Sequence, residues 1–353
     1  MTLDRLLGAR LPDPPDALRR GPFREGAFPS PLHSERRAAR VGAWLGSAFL
    51  ICFLTGLLSH FLQQPPSWFV WPASPVWGYR VSQGVHVATG IAAIPLLLVK
   101  LWTVYPLLFE WPPAGSPARA ISRLSVLVLV GTAVMQLATG LINISQWYPF
   151  GFNFTHAHYW TGWIAIGAVF VHVGAKAPQI SRALARGKTP AEDDGTGLPR
   201  RAFVAAAALG VGAATLTTVG QTLSPLSSVS LLAPRLPRSG PQDLPVNQTA
   251  AAAQVEDSAT DAGYRLVVDG PRRLELSLAE LQGRRQHDES LPIACVEGWS
   301  AGANWSGVRL ADMLEEAGLA RDNPVVVESL QTGGLYRTSR VDASRAVQPA
   351  GLQ

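Results

Sequence analysis

Residues 158–172 read HYWTGWIAIGAVFVH, an apolar helix-forming run closed by a histidine at each end. His158 and His172 are 14 residues apart. That spacing is nearly four helical turns, so both side chains share one face, about 21 Å apart along the axis. Ionisable groups at membrane depth are expensive and usually functional. Neutral imidazole is a common axial ligand of haem iron, and two haems stacked across a bilayer need such a pair of positions.

The surrounding sequence supports a membrane setting. Of the 353 residues, 47% are apolar and 16% are charged, against roughly 25% charged in an average soluble domain. Five apolar stretches run over about 41–62, 84–108, 124–144, 159–177 and 202–220, each near the roughly 20 residues that a helix needs to cross the hydrocarbon core. Arginine and lysine collect in alternate flanks: Arg36, Arg37 and Arg40, then Arg119 and Arg123, then Lys176, Arg182, Arg186, Lys188, Arg200 and Arg201. The other loops are aromatic, with Trp68, Phe69, Trp71, Trp77 and Tyr79 in one and Trp147, Tyr148, Phe150, Phe152 and Phe154 in the other. Positive-inside bias and interfacial aromatics agree on a cytosolic N-terminus, and five crossings put the C-terminal part outside. The net charge of +5 is read as topology, which removes the case for nucleic-acid binding. No cleavable signal peptide is evident, because the first apolar run begins only at Val41.

Six of the seven histidines lie in or beside this region: His33, His60, His86, His156, His158 and His172. His86 starts the second stretch on the outer side, level with His158, so a His86–His158 pair is the first candidate for an outer haem. His60 ends the first stretch on the same side and competes for that role, or for a bond to a haem propionate or a quinone. His156 points away from His158 if the fourth helix starts early. On the inner side His172 lacks an obvious partner; His33 is the only other histidine there. Lys100, 14 residues after His86, is expected to snorkel to the interface, with a propionate contact or unusual ligation as alternatives. Helix-packing histidines are the competing explanation, and four of them on three helices at matched depths weigh against it. The bundle resembles the bacterial cytochrome b561 and formate dehydrogenase gamma-subunit group. That resemblance implies one or two b haems, with ligands on the second and fourth helices at His86, His158 and His172. The group also places a histidine at the cytosolic start of the first helix, a position not cleanly filled here.

The fifth stretch, PRRAFVAAAALGVGAATL, opens on Arg200–Arg201 and resembles an internal twin-arginine export signal. The alternative is a plain membrane helix with a basic inner flank. A domain that takes up a complex cofactor in the cytosol should fold before it crosses, and that route carries folded domains.

Beyond a Pro-, Ser-, Gln- and Ala-rich linker the pattern changes to that of a mixed soluble domain. YRLVVDG and LELSLAEL alternate like strands leading into a short helix, VRLADMLEEAGL reads as an amphipathic helix, and PVVVESL as a buried strand. The expected fold is a membrane all-α bundle of four haem-bundle helices and a fifth anchoring helix, followed by an α+β domain. The boundaries are 1–40 for a cytosolic segment, 41–182 for the four-helix domain and 183–220 for the loop and fifth helix. A linker then covers 221–260 and the outer domain 261–353.

The chain has two cysteines, Cys52 inside an apolar run and Cys295 in the outer domain, so a disulfide between them is not expected. Cys295 sits in LPIACVEGWSAGANWSGVRLADMLEEAGL. This stretch resembles the sulfite-oxidase-type, methionine-sulfoxide-reductase-like molybdopterin family, on Cys295, Glu297, Trp299, Ser300, Trp305, Gly307 and Val308. The resemblance implies that Cys295 gives a thiolate to molybdenum held also by the pterin dithiolene, with two-electron oxo transfer there. LPVNQTA, around Asn247, looks like the family's upstream pterin-contacting segment. ESLQTGGLYRTS looks like its next strand and loop, where Tyr336, Arg337 and Thr338 face the site. Guanidinium binds oxyanions bidentately, so Arg337 is a candidate for a substrate or pterin phosphate, with an ordinary surface arginine as the alternative. The resemblance covers about 247–345, the first part of that domain. The family's domain continues with further segments that grip the pterin, and the sequence is read as truncated or as incomplete in that grip.

Two functions follow. The first is a multi-pass oxidoreductase of the bacterial cell membrane, passing electrons between an outer molybdenum centre and a quinone or other carrier through b haem. Its substrate is a small oxo donor or acceptor. The second is a b-type cytochrome whose outer domain lacks molybdenum and acts as a docking module. A transporter is a weaker third reading, since the helices lack broken segments and paired carboxylates at mid-depth.

Overall fold

The computed structural model describes residues 13, 15–16, 20–24, 27–30, 33–72, 74–110, 116–144, 149–185, 200–220, 224–231, 240–246, 249–295, 299–320, 323–332 and 337–346. The chain divides into two units, one formed by Met1–Phe69 with Ser82–Pro234 and the other by Val70–Val81 with Arg235–Gln353.

The first unit holds the long helices α1 (Glu35–Gln63), α2 (Trp77–Leu108, whose first turn belongs to the second unit), α3 (Pro117–Ile144), α4 (Phe154–Ala185) and α5 (Arg200–Val219). Four of them, α1 to α4, are long and apolar enough to cross a membrane. The fifth is shorter: its apolar run is Val204–Val219. α1 begins six residues before the expected apolar run because Ser34 caps it, accepting from the Arg37 amide at 3.4 Å, with Glu35 in the first turn. Asn153 opens α4 in the same way, its Oδ1 accepting from the His156 amide at 3.1 Å. At the far end of α2, Arg123 donates to the Leu108 and Glu110 carbonyls at 2.7 and 3.1 Å, which otherwise lack helical partners. Arg119 adds an ion pair to Glu110 at 2.5 Å.

Inside the unit, α4 packs along α3 and α1. Leu45, Ala48, Ala93, Leu97 and Ala133 form a buried cluster where α1, α2 and α3 meet. Its alanines let the backbones approach, as packing in lipid favours. The opposite faces carry exposed large apolar chains, among them Trp44, Leu54, Val134 and Phe170. Helices apolar on the outside suit a lipid surround rather than water.

The second unit is a small α/β region built on three two-stranded antiparallel ribbons among the described residues. β1 (Leu266–Val268) pairs with β2 (Leu274–Leu276), β3 (His287–Cys295) with β4 (Trp299–Gly307), and β5 (Val325–Glu328) with β6 (Thr338–Val341). Short helices α6 (Glu256–Thr260), α7 (Leu278–Gly283), α8 (Leu310–Glu316) and α9 (Ala343–Ala346) complete it. Ser277 and Glu280 form a capping box on α7. α8 ends where Gly318 takes φ +72°, with Gly318 and Leu319 amides donating to the Glu315 and Leu314 carbonyls at 3.0 and 2.9 Å. This is the glycine stop written as EEAGL in the sequence. Leu314, Val341 and Ala346 make the core, with Val268, Leu310, Leu319 and Val325 against it.

One expectation is corrected. PVVVESL forms a strand, β5, but not a buried one: Val325 packs inward while Val326 is 68% exposed. β5 hydrogen-bonds only to β6 among the described residues, and Val326, Val327 and Glu328 are exposed.

Candidate functional site

The helical unit brings two of the predicted histidines together. His86 on α2 and His158 on α4 have ring centroids 6.1 Å apart and planes 74° from parallel. Two imidazoles sharing one metal through bonds of roughly 2 Å have centroids roughly 6 Å apart.

The hydrogen bonds assign the tautomers. His86 Nδ1 lies 2.9 Å from the Cys52 carbonyl and 3.1 Å from Thr55 Oγ1. A carbonyl only accepts, so Nδ1 carries the proton. The Thr55 hydroxyl donates to the Ile51 carbonyl at 2.7 Å, leaving its oxygen as an acceptor too. His158 Nδ1 lies 2.9 Å from Thr139 Oγ1, whose hydroxyl donates to the Met135 carbonyl at 2.6 Å. That hydroxyl has one hydrogen, so its oxygen accepts from His158 Nδ1. Both rings are therefore protonated at Nδ1 and present an Nε2 lone pair, the arrangement of a metal-binding histidine oriented through its other nitrogen. By donor chemistry and spacing the pair could together hold one haem iron.

The surroundings hold these rings closely. A Cβ at Gly56 would stand 3.0 Å from His86 Cε1, and one at Gly140 would stand 3.5 Å from His158 Cε1. Gln136 Nε2 donates to the His158 carbonyl at 2.6 Å and to Thr161 Oγ1 at 2.7 Å. Cys52 Sγ lies 3.0 Å from Thr89 Oγ1, on the helix of His86.

The other candidates are placed elsewhere. His60 stacks on Tyr159, centroids 3.9 Å apart and planes 18° from parallel. His156 is exposed, as an early start of α4 predicts. His172 is half-buried on α4, with Lys100 and Lys176 as its charged neighbours. No ring contact joins it to His33 among the described residues. His33 instead lies 5.6 Å from the Trp102 ring, with its Nε2 buried and unpartnered, and burial lowers its pKa. Lys100 donates to the Ala38 carbonyl at 2.8 Å, so its ammonium is tied to the first turn of α1.

In the second unit Cys295 is the last residue of β3, opposite Trp299 across the ribbon, half-buried and in no disulfide. Its neighbour Ser300 is buried and donates to the Val76 carbonyl at 2.5 Å. Gly307 faces His287 at the other end of the ribbon. Arg337 forms an ion pair with Glu328. Asn247, Glu297 and Tyr336 lie outside the described residues. No group of three or more histidine, cysteine, aspartate or glutamate side chains able to hold a metal occurs among the described residues.

Sequence reasoning missed Thr55, Thr139, Gly56, Gly140 and Gln136. Only Gln136 carried a signal, as an amide inside an apolar run.

Residues 252–350 match the family model described as the oxidoreductase molybdopterin binding domain. The second unit is thus a small α/β region matching a molybdopterin-binding oxidoreductase domain. No curated protein and no solved structure matches the chain.

Proposed function

We propose that this chain is a membrane-bound oxidoreductase in which a b-type haem site in the helices serves a molybdopterin site in the C-terminal domain. The observation that carries the helical half is the His86–His158 pair, both rings held at Nδ1 and both offering Nε2. The other half rests on the family match over residues 252–350 and on Cys295.

When bound, haem supplies one-electron transfer and the molybdenum pterin supplies two-electron oxo transfer. The chain's own part is to hold and tune. His86 and His158 ligate the iron through Nε2, and the Cys52 carbonyl, Thr55 and Thr139 keep the rings oriented. Cys295 offers its thiolate to molybdenum. Arg337 is the candidate for an oxyanion or the pterin phosphate, and on that reading Glu328 must release it. Asn247 is the candidate for the pterin on the upstream segment. His60, stacked on Tyr159, is the group for a propionate or a quinone, and His172 is the ligand for a second, inner haem. The four long helices anchor the protein in the bacterial cell membrane, N-terminus inside, where a quinone or another carrier exchanges electrons with it. The twin arginine at α5 serves export of the folded domain, and the substrate is a small oxo donor or acceptor.

The test is elemental. The full chain, purified in mild detergent, is expected to hold about one molybdenum and one or two haem irons, with molybdenum lost in Cys295→Ser. Haem without molybdenum would leave a b-type cytochrome whose C-terminal domain serves docking. Absence of haem would overturn the helical half.

A further inference from the structure

The two histidines are oriented by unlike groups. His86 Nδ1 donates to a main-chain carbonyl, that of Cys52, at 2.9 Å. His158 Nδ1 donates to a side chain, Thr139 Oγ1, at 2.9 Å. Thr139 is 1% exposed, so no water replaces it. Its hydroxyl is committed to the Met135 carbonyl at 2.6 Å, so toward His158 it acts only as an acceptor. Gln136, one turn earlier on the same face of α3, binds the His158 carbonyl at 2.6 Å. α3 therefore grips His158 at both main chain and ring, through the Gln136 and Thr139 side chains.

We propose that Thr139 is a positioning residue that fixes the tautomer of His158 and lowers the reduction potential of the iron it ligates. An oxygen accepting from Nδ1–H shifts electron density toward Nε2 and raises the basicity of the ligand. A more basic ligand favours ferric over ferrous iron. Without that acceptor the buried ring loses its partner, its lone pair at Nε2 is less basic, and the ring is free to turn.

The inference rests on haem binding at His86 and His158, and the experiment separates the two. Wild type, Thr139→Val and Thr139→Ser are purified as full chains in mild detergent. Haem per chain is measured, and each sample is titrated with dithionite while the haem absorbance is followed. The valine variant keeps the shape of threonine and loses the acceptor. Its midpoint potential is expected to rise by roughly a tenfold change in the ferric/ferrous equilibrium, about 59 mV for one electron, and serine is expected to restore the wild-type value. A haem-loaded valine variant with unchanged potential overturns the proposal and leaves haem binding standing. If valine loses haem, recovery of haem and potential with serine supports the positioning role, and loss with both variants overturns it in favour of packing. A wild-type chain without haem removes the reading beneath it.

Discussion

The Nδ1 atoms of His86 and His158 are both engaged, at 2.9 Å from the Cys52 carbonyl and 2.9 Å from Thr139 Oγ1, while the ring centroids stand 6.1 Å apart. Both rings are thus held by contacts from α1 and α3 that neither histidine's own helix supplies.

Substitution of either ring should remove the shared ion's coordination. His86→Leu and His158→Leu are each expected to abolish a low-spin haem spectrum in the purified chain. His156→Leu should leave the spectrum intact, because His156 is exposed on α4. Absorbance of the reduced proteins decides this, and a full spectrum in His158→Leu would move the ligand elsewhere.

The two glycines beside the rings should differ. Gly56→Ala places a methyl 3.0 Å from His86 Cε1, so the ring must shift. Overpacking of this kind costs about 1–3 kcal/mol, and haem retention is expected to fall. Gly140→Ala places its methyl at 3.5 Å from His158 Cε1, ordinary contact, and should be tolerated. Haem-to-protein ratio after gel filtration compares them.

Molybdenum and haem should respond independently. Cys295 sits on β3 and the histidines on α2 and α4, so Cys295→Ser is expected to strip molybdenum and leave the haem spectrum unchanged. Metal analysis and absorbance of one preparation give both answers. Loss of both cofactors together would point to misfolding instead.

Acid should weaken one tie of the C-terminal unit. Arg284 at the end of α7 holds Glu316 of α8 through two bonds, at 2.5 and 3.0 Å. The side-chain bond from Arg284 is the main reason the Glu316 carboxyl titrates below its ordinary value. A depressed carboxyl stabilises the fold above its unfolded pKa, and that contribution fades as pH falls through the folded value. Glu316 is exposed and Arg284 only half-buried, so the effect is small. Glu316→Gln should melt slightly earlier than wild type at neutral pH, and the gap should close once the carboxyl is protonated. Calorimetry of both at several pH values measures it; a gap that persists in acid would assign the loss to packing.

Much of this architecture was legible without coordinates. Of the five crossings expected from apolar runs, four are membrane-length helices, because the cost of exposing polar backbone to lipid depends on local length and composition. The strands around YRLVVDG and LELSLAEL and the helix at VRLADMLEEAGL followed for the same local reason. Cys295 was singled out by a resemblance carried on its neighbours in sequence.

Partnership was legible only in part: the His86–His158 pair was the first candidate, with His60 competing for the role. His60 and His86 both stood at the right depth for His158, and only the packing of α1, α2 and α4 set His86 against His158 while turning His60 onto Tyr159. Thr139 and Gly56 looked like ordinary helix residues, and they acquire meaning only because a ring from another helix lies against each. Val326 read as core, yet it is exposed among the described residues. The sequence determined which segments are helix, strand and stop, since those depend on near neighbours along the chain. Only the tertiary structure decided which side chains meet, since that depends on how helices rotate about their axes, and a turn of one residue moves a side chain by about 100°.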